Sequence, residues 1–580
     1  IVVRLVGSEM CIRDRVSCNS IHKLMYRYFF LAFFSLSLNY AAYPDPVYSE
    51  NGMVVSLHHE ASSAGIKILQ KGGNAIDAAV AVGFALAVTC PENGNLGGGC
   101  FMIGATSKGE IFSQDHREKA PTRSTKNMFL DEAGSVIPQM SLTSRASSGV
   151  PGTVHGLLTA WKDHGSGNIR LQQLLAPAIK LADKGYVLSK RRADLYNYYK
   201  TAFTKNDAAA KIFIKHDESP WKQGDVFVQK DLAKTLKRIS KFGISGFYNG
   251  TTAKLIIKEM ERGNGLISHN DLEAYQSVYR EPVIGTFKGL EVISMGPPSS
   301  GGLLLIHMLN AIENFPIDTL GWNSTDYIHL LTEIAKRAYA DRAEHLGDPD
   351  FWNNPRDLFL SKKYAKKRIS NLSMESHTPS KEVFSGIYND SESDETTHYS
   401  VVDNDGNAVS VTSTLNQNFG NKHIVAGAGF FLNNEMDDFS IKPGTPNFWG
   451  LVGSKANSIE PNKRPLSSMT PTIIMYDGAP IMTIGSPGGS KIITTVLQCI
   501  LNVFIHDMNI KQAVCAPRIH HQWLPENTVY IEPNGISKDI IKNLQSRGHT
   551  IKTYGYMGVA NGIIIEDEGL YGGTDCRDET

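Results

Sequence analysis

The reading of the fold turns on one junction: Asn389-Asp390-Ser391-Glu392-Ser393-Asp394-Glu395, followed by Thr396-Thr397-His398-Tyr399-Ser400-Val401-Val402. From Asn371 to Glu395 the chain is polar and acidic, with few apolar residues. Such a segment buries too little apolar surface to offset its ordering entropy, and it reads as an exposed loop. After Thr396 the pattern alternates toward a strand. Asp403-Asn404-Asp405-Gly406 is a hairpin signal, and Asn407 to Leu415 is the return strand.

A Thr at this boundary has a chemical use. A hydroxyl is a weak nucleophile unless a base stands beside it, and a chain-terminal Thr carries its own base, the free α-amine. That amine has a reference pKa of about 7.7–8, so its neutral form is accessible near pH 7. Thr396 gains the amine only if the Glu395–Thr396 bond is cut. Cutting asks for a flexible segment before it and a held strand after it, and both are present. By itself the junction is weak evidence, because polar loops commonly precede strands that begin in Thr.

Working outward toward the N-terminus, Met53 to Leu57 reads as a strand and Ala61 to Leu69 as a helix stopped by Gly72-Gly73. Asn74 to Val88 is an Ala-rich helix, and Asn95-Leu96-Gly97-Gly98-Gly99 leads into a strand at Phe101 to Gly104. Residues 150–345 are mostly helical, with 3.6-residue spacing over Leu171 to Lys184, Val228 to Phe242, Thr252 to Arg262 and about Ser324 to His345. Toward the C-terminus, strands are expected at Pro471 to Met475 and Pro480 to Ile484, then a helix over Ile492 to Phe504.

Several long motifs stand in order along the chain. The main ones are Gly72-Gly73-Asn74-Ala75-Ile76-Asp77, Gly94-Asn95-Leu96-Gly97-Gly98-Gly99, Arg117-Glu118-Lys119-Ala120-Pro121, Thr396-Thr397-His398-Tyr399-Ser400, Leu432-Asn433-Asn434-Glu435-Met436-Asp437-Asp438-Phe439, Arg464-Pro465-Leu466-Ser467-Ser468-Met469 and Gly485-Ser486-Pro487-Gly488-Gly489-Ser490. From Gly52 to Asp575 the sequence resembles the γ-glutamyltranspeptidase (glutathione hydrolase) family, bacterial type. The resemblance implies an α/β (α+β) N-terminal-nucleophile hydrolase, a four-layer αββα sandwich with a large helical portion in its N-terminal part. It implies a large subunit over residues 43–395 and a small subunit over 396–580, associated as a heterodimer.

The resemblance also assigns roles. Thr396 attacks the γ-carbonyl of a γ-glutamyl donor such as glutathione, and the ester passes to water or to an amino acid or peptide acceptor. Thr414 supports the amine or Thr396, although a strand Thr chosen for β-propensity is the plainer reading of it. Arg117 holds the α-carboxylate through its planar fork, and Ser467 and Ser468 add hydroxyl donors. Glu435, Asp438 and Asn416 receive the α-ammonium, although an acidic turn in solvent is the plainer reading of residues 435–438. Backbone N–H groups of Gly488 and Gly489 form the oxyanion hole, where a side chain would intrude. Trp449 is a candidate lid over the site. It stands where relatives often carry Tyr, which puts that residue's hydrogen bond in doubt.

Two other readings compete. An acylase acting on a glutaryl-type amide would share the nucleophile but not need an ammonium site, and Asn416, Glu435 and Asp438 argue against it. A catalytically silent exported binding protein is opposed by Thr396, Thr414, Arg117 and the glycine pair.

Composition sets further bounds. Lys+Arg and Asp+Glu are 58 each, so no net positive field points to nucleic acid or an anionic membrane surface. Around a candidate start at Met25 stand the basic residues Lys23 and Arg27, then an 11-residue apolar run from Tyr28 to Leu38 and small residues ending at Ala42, which is the layout of a signal peptide. Eleven residues are too few to span a bilayer of roughly 30 Å, so no stable membrane anchor is expected. A periplasmic or secreted protein follows. Residues 1–42 are expected to lie outside the mature chain, and relatives are expected to run a little beyond Thr580. The seven Cys do not read as a disulfide framework, and Cys90 and Cys100 are expected to stay unlinked. No cofactor is expected. His58-His59-Glu60 and His520-His521 suggest a metal, but neighbours on a strand point opposite ways and chelate poorly.

Overall fold

The computed structural model describes residues 45–383 and 396–577. The signal-peptide stretch and Glu395 lie outside the described residues. From Pro46 onward the chain forms one compact unit.

Two antiparallel sheets organise it. Their strands, in chain order, are β1 (Val47–Ser49), β2 (Met53–Val55), β3 (Gly99–Ala105), β4 (Ile111–His116), β5 (Val278–Arg280), β6 (Val283–Phe287) and β7 (Leu290–Ser294). The remainder are β8 (Thr397–Val402), β9 (Ala408–Thr414), β10 (Thr472–Tyr476), β11 (Ala479–Gly485), β12 (Asn561–Glu566) and β13 (Gly569–Thr574). One sheet runs β2-β8-β9-β3-β4-β5; the other runs β1-β13-β12-β11-β10-β7-β6. The junction hairpin β8–β9 sits in the middle of the first sheet, with Thr397 opposite Ser413 and Val402 opposite Ala408. A central strand is held by ladders on both sides, so the residue before it is rigidly placed.

Five helices matter here: α1 (His59–Leu69), α2 (Ala75–Thr89), α3 (Gly301–Ile312), α4 (Thr325–His345) and α5 (Ile492–Phe504). Asn74 and Asp77 form a reciprocal capping box that fixes the start of α2. α2 is apolar all round and packs on β8 and β9, while α3 and α5 pack on the second sheet. The sheets themselves meet face to face through β8, β9, β11 and β12. The layers therefore run helix, sheet, sheet, helix.

Period-2 alternation explains the layering. On β8, Tyr399 and Val401 enter the core shared with α2, while Val402 faces the core between the sheets. On β3, Cys100 and Met102 take the first face and Phe101 and Ile103 the second. Helix α2 approaches β8 closely because residue 83 is Gly. A Cβ there would stand 2.7 Å from the Tyr399 hydroxyl and 2.9 Å from Leu157.

The cysteines require one correction. Cys90 and Cys100 are buried and form no disulfide with each other, as expected, but Cys515 and Cys576 form a disulfide across 61 residues of sequence. The spacing gave no signal because the link is made by tertiary packing. β13 runs beside the helix Ile510–Cys515 and brings Cys576 to it.

Candidate active site

Thr396 immediately precedes β8 and is buried. Its carbonyl accepts from Asn93 Nδ2 at 2.8 Å. Asn93 lies just beyond the C-terminus of α2, so the helix that packs under β8 also holds the residue that leads into the strand. Thr414 ends β9, opposite Gly99. Its hydroxyl oxygen accepts from the Asn416 N–H at 2.8 Å, which leaves the hydroxyl hydrogen available to be donated.

Asn416 follows with φ 72°, a left-handed conformation that Asn tolerates better than most residues. This turn sends its side chain toward the acidic turn. Nδ2 donates to the Asn434 carbonyl at 2.9 Å. Asn433 ties that turn to the glycine loops of the N-terminal part: its Nδ2 donates to the carbonyls of Gly97 and Gly149, both at 2.8 Å. Its Oδ1 accepts from the Glu435 N–H at 3.1 Å.

Arg117 follows β4 directly. One arm of its guanidinium lies 2.7 Å from Glu435, and the other is hydrogen-bonded to Asp438. Nε donates to the Pro465 carbonyl at 3.3 Å. Burial acts to lower the Arg117 pKa, but the carboxylates of Glu435, Asp438 and Glu118 outweigh it and the pKa is raised. The acids respond in the opposite sense. Burial drives Glu435 well above the ordinary carboxyl value and raises Asp438, both against the pull of Arg117. Glu118, 3.6 Å from Arg117, is pushed up by burial to about 7. Asp437 does a different job: its carboxylate accepts from Ser141 Oγ at 2.7 Å and from the Phe448 N–H at 2.9 Å.

Ser467 and Ser468 are held by the N-terminus of α3. Ser300 donates to the Ser467 carbonyl through both its N–H at 2.9 Å and its hydroxyl at 2.7 Å. Gly488 and Gly489 form the turn before α5, with φ of 136° and 52°. Both values lie in the region that favours glycine. A Cβ on Gly489 would stand 2.2 Å from the Trp449 ring.

Trp449 corrects one expectation. Its indole N–H donates to Asn416 Oδ1, so a residue other than Tyr does make a hydrogen bond from this position. Trp449 is 5% exposed, and its carbonyl accepts from Gln522 Nε2 at 3.1 Å.

These residues meet around a small cavity whose wall includes Arg117, Thr396, Thr414, Asn416, Asp438, Trp449, Ser467, Ser468 and Gly489. Glu435 stands behind it, on Arg117. Gly488 instead lines a second, larger cavity, which shares Thr396 and is also lined by Asn93 and Tyr556. Thr396 therefore stands between a narrow, charged chamber and a wider one. The sequence reading gave no role to Asn93, Asn433, Glu118 or Arg342. Glu118 and Asn433 do stand inside the long motifs, next to residues that were assigned roles, whereas Asn93 and Arg342 carry no local mark. The histidine pairs lie elsewhere: His58 caps α1 through Nδ1, and His520 and His521 bond Thr494 Oγ1 and the Thr528 carbonyl.

Comparison with known proteins agrees with this geometry. A profile of the family described as Gamma-glutamyltranspeptidase matches residues 61–580. The chain is similar to the glutathione hydrolase proenzyme of Escherichia coli (strain K12), 45% identical over 533 residues, which are 92% of this chain and 91% of that one. In three dimensions it is similar to cephalosporin acylase from Bacillus halodurans, with TM-score 0.81 and 26% identity over 93% of this chain and 97% of the other. It is also similar to Helicobacter pylori gamma-glutamyltranspeptidase, with TM-score 0.54 and 43% identity over 59% of this chain and 95% of the other.

Proposed function

This chain belongs to the γ-glutamyltranspeptidase family, an enzyme family that cleaves γ-glutamyl amide bonds, and on that premise we propose how its residues carry the reaction. The bond between Glu395 and Thr396 is cut, dividing the chain into a large part ending at 395 and a small part beginning at 396. The new α-amine of Thr396 is the base. Thr396 Oγ attacks the γ-carbonyl of the donor while its proton passes to that amine. The tetrahedral oxyanion is received by the N–H groups of Gly488 and Gly489. The amide C–N bond then breaks, the leaving amine takes the proton, and a γ-glutamyl ester remains on Thr396. Water attacking this ester gives hydrolysis; an amino acid or dipeptide amine gives transfer.

The donor's head is a zwitterion. Its α-carboxylate is held by Arg117, Ser467 and Ser468, and its α-ammonium by Glu435, Asp438 and Asn416. Trp449 covers the chamber against water. The observation that most supports this reading is that Thr396, Arg117, Asp438, Ser467 and Ser468 share one small cavity. Likeness to a cephalosporin acylase bears on the scaffold. A glutaryl side chain has no ammonium, and so gives the acidic turn at 435–438 nothing to bind.

Export is part of the proposal. The signal-like stretch from Met25 to Ala42 supports it. So does the Cys515–Cys576 disulfide, since such links persist in oxidising compartments. Among the described residues no helix is long and apolar enough to cross a membrane. The test is turnover of a γ-glutamyl anilide with and without a dipeptide acceptor. Acceleration by the acceptor marks transfer, and its absence marks a hydrolase. A lack of turnover in the cleaved protein would refute the proposal.

A further inference from the structure

Helix α4 carries Tyr339 and Arg342 three residues apart, on one face. Both reach turns of the active site. The Tyr339 hydroxyl donates to the Ser490 carbonyl at 2.5 Å, beside Gly489. Arg342 Nε donates to Ser300 Oγ at 2.9 Å, and a terminal nitrogen donates to Ser468 Oγ at 3.4 Å. Arg342 is 5% exposed and lines the cavity that holds Thr396 and Arg117.

Arg342 differs from Arg117 in its partners. Arg117 is paired with Glu435 and Asp438, whereas among the described residues Arg342 is in no ion pair. Burying a guanidinium with no ion-paired carboxylate is costly, and the charge of Asp438, across the same cavity, offsets that only in part. Burial pushes its pKa down to about 10, so it still carries its charge at neutral pH. A buried positive charge at a cavity wall favours an anion in that cavity.

The hydrogen bonds also fix direction. A serine hydroxyl has one hydrogen to give and two lone pairs to fill. Ser468 Oγ accepts from Arg342, and Ser467 Oγ accepts from the Met469 N–H at 3.1 Å. With these acceptor positions used, both hydroxyl hydrogens are available to a ligand. Through Ser300, which donates to the Ser467 carbonyl, the same guanidinium also steadies the backbone of the pair.

We propose that Arg342 is a positioning residue for the donor's α-carboxylate. It commits Ser468 as a hydrogen-bond donor and sets a second buried positive charge beside Arg117. The enzyme thereby selects donors that carry an α-carboxylate. The proposal rests on the reading of Ser467 and Ser468 given above.

The test compares two donors, γ-glutamyl p-nitroanilide and 4-aminobutyryl p-nitroanilide, which lacks only the α-carboxylate. R342M should raise KM for the γ-glutamyl donor roughly tenfold while changing kcat little, the size expected for losing a charged hydrogen-bonding group. The preference for the γ-glutamyl donor, as a ratio of kcat/KM, should fall by a similar factor, and R342K should recover part of it. An equal loss for both donors, a loss in kcat alone, or no loss would overturn the proposal. If R342M does not fold, S300A removes the Nε contact and keeps the charge. It should show a smaller shift of the same ratio, and an unchanged ratio would count against the proposal. If the wild-type enzyme used both donors equally well, the carboxylate site itself would be misassigned, which is a different failure.

Discussion

The Arg117 guanidinium lies 2.7 Å from the Glu435 carboxylate, and both side chains are buried. An ion pair of this kind can exchange partners with a zwitterion. A ligand carboxylate takes the cation, a ligand ammonium takes the acids, and no net charge is buried. This relationship fits an α-amino acid head and does not fit a simple acid or a simple amine.

Arg117→Lys should therefore act on donor binding. Lysine keeps the charge but loses the planar fork that meets Glu435 and Asp438 together. KM for the γ-glutamyl donor should rise on the order of tenfold to a hundredfold, the range for a lost charged hydrogen bond, with kcat changed only a few-fold. Steady-state kinetics on the cleaved enzyme checks this, and an unchanged KM would contradict it.

Glu118 should give donor binding a pH dependence. Burial holds its carboxyl at about 7 against an ordinary value of 4.5. Below that pH it is neutral; above it, ionised, it adds negative charge beside Arg117 and the site proposed for the donor's ammonium. KM should fall as pH rises through about 7, and Glu118→Gln should flatten that limb. The stability sign is opposite. The folded protein binds this proton where the unfolded chain does not, so this contribution is full below the ordinary carboxyl pKa and is lost as pH rises through about 7. An inflection in KM that persists in Glu118→Gln would exclude Glu118 as its source.

Trp449→Phe keeps an aromatic cover and removes the N–H given to Asn416. A net hydrogen bond contributes about 0.5–1.5 kcal/mol, so KM should rise by up to about tenfold. A larger loss would mean that the indole also shapes the chamber, as its contact with Gly489 allows.

The disulfide offers a stability test. Closing 61 residues of sequence between Cys515 and Cys576 should stabilise the fold by about 4 kcal/mol in the chain-entropy account. Reductant should lower Tm in the wild-type protein and leave Cys515→Ser unaffected. An equal shift in both would show that the link is not the cause.

Much of the fold was legible because its elements are locally marked. The hairpin at 403–406, the Asn74 cap and the full apolar helix at 492–504 each carry their signal within a few residues. The second sheet was largely illegible. β13 pairs with β1, hundreds of residues earlier in the chain, and β10 pairs with β7 across another long gap, which no local pattern announces. The site divides in the same way. Thr396, Arg117 and the acidic turn stand in long motifs, and the fold brings them to one cavity. Arg342 and Asn93 act by reaching across the structure, and their meaning depends on partners that only packing supplies.

The central claim is that Thr396 becomes the nucleophile once it is a chain terminus. N-terminal sequencing of the small fragment, run beside γ-glutamyl anilide turnover for wild type and Thr396→Ala, tests it most directly. The account predicts a wild-type fragment beginning Thr396-Thr397-His398, and an alanine variant that stays uncut and inactive. A fragment beginning elsewhere, or turnover by the uncut chain, would contradict it.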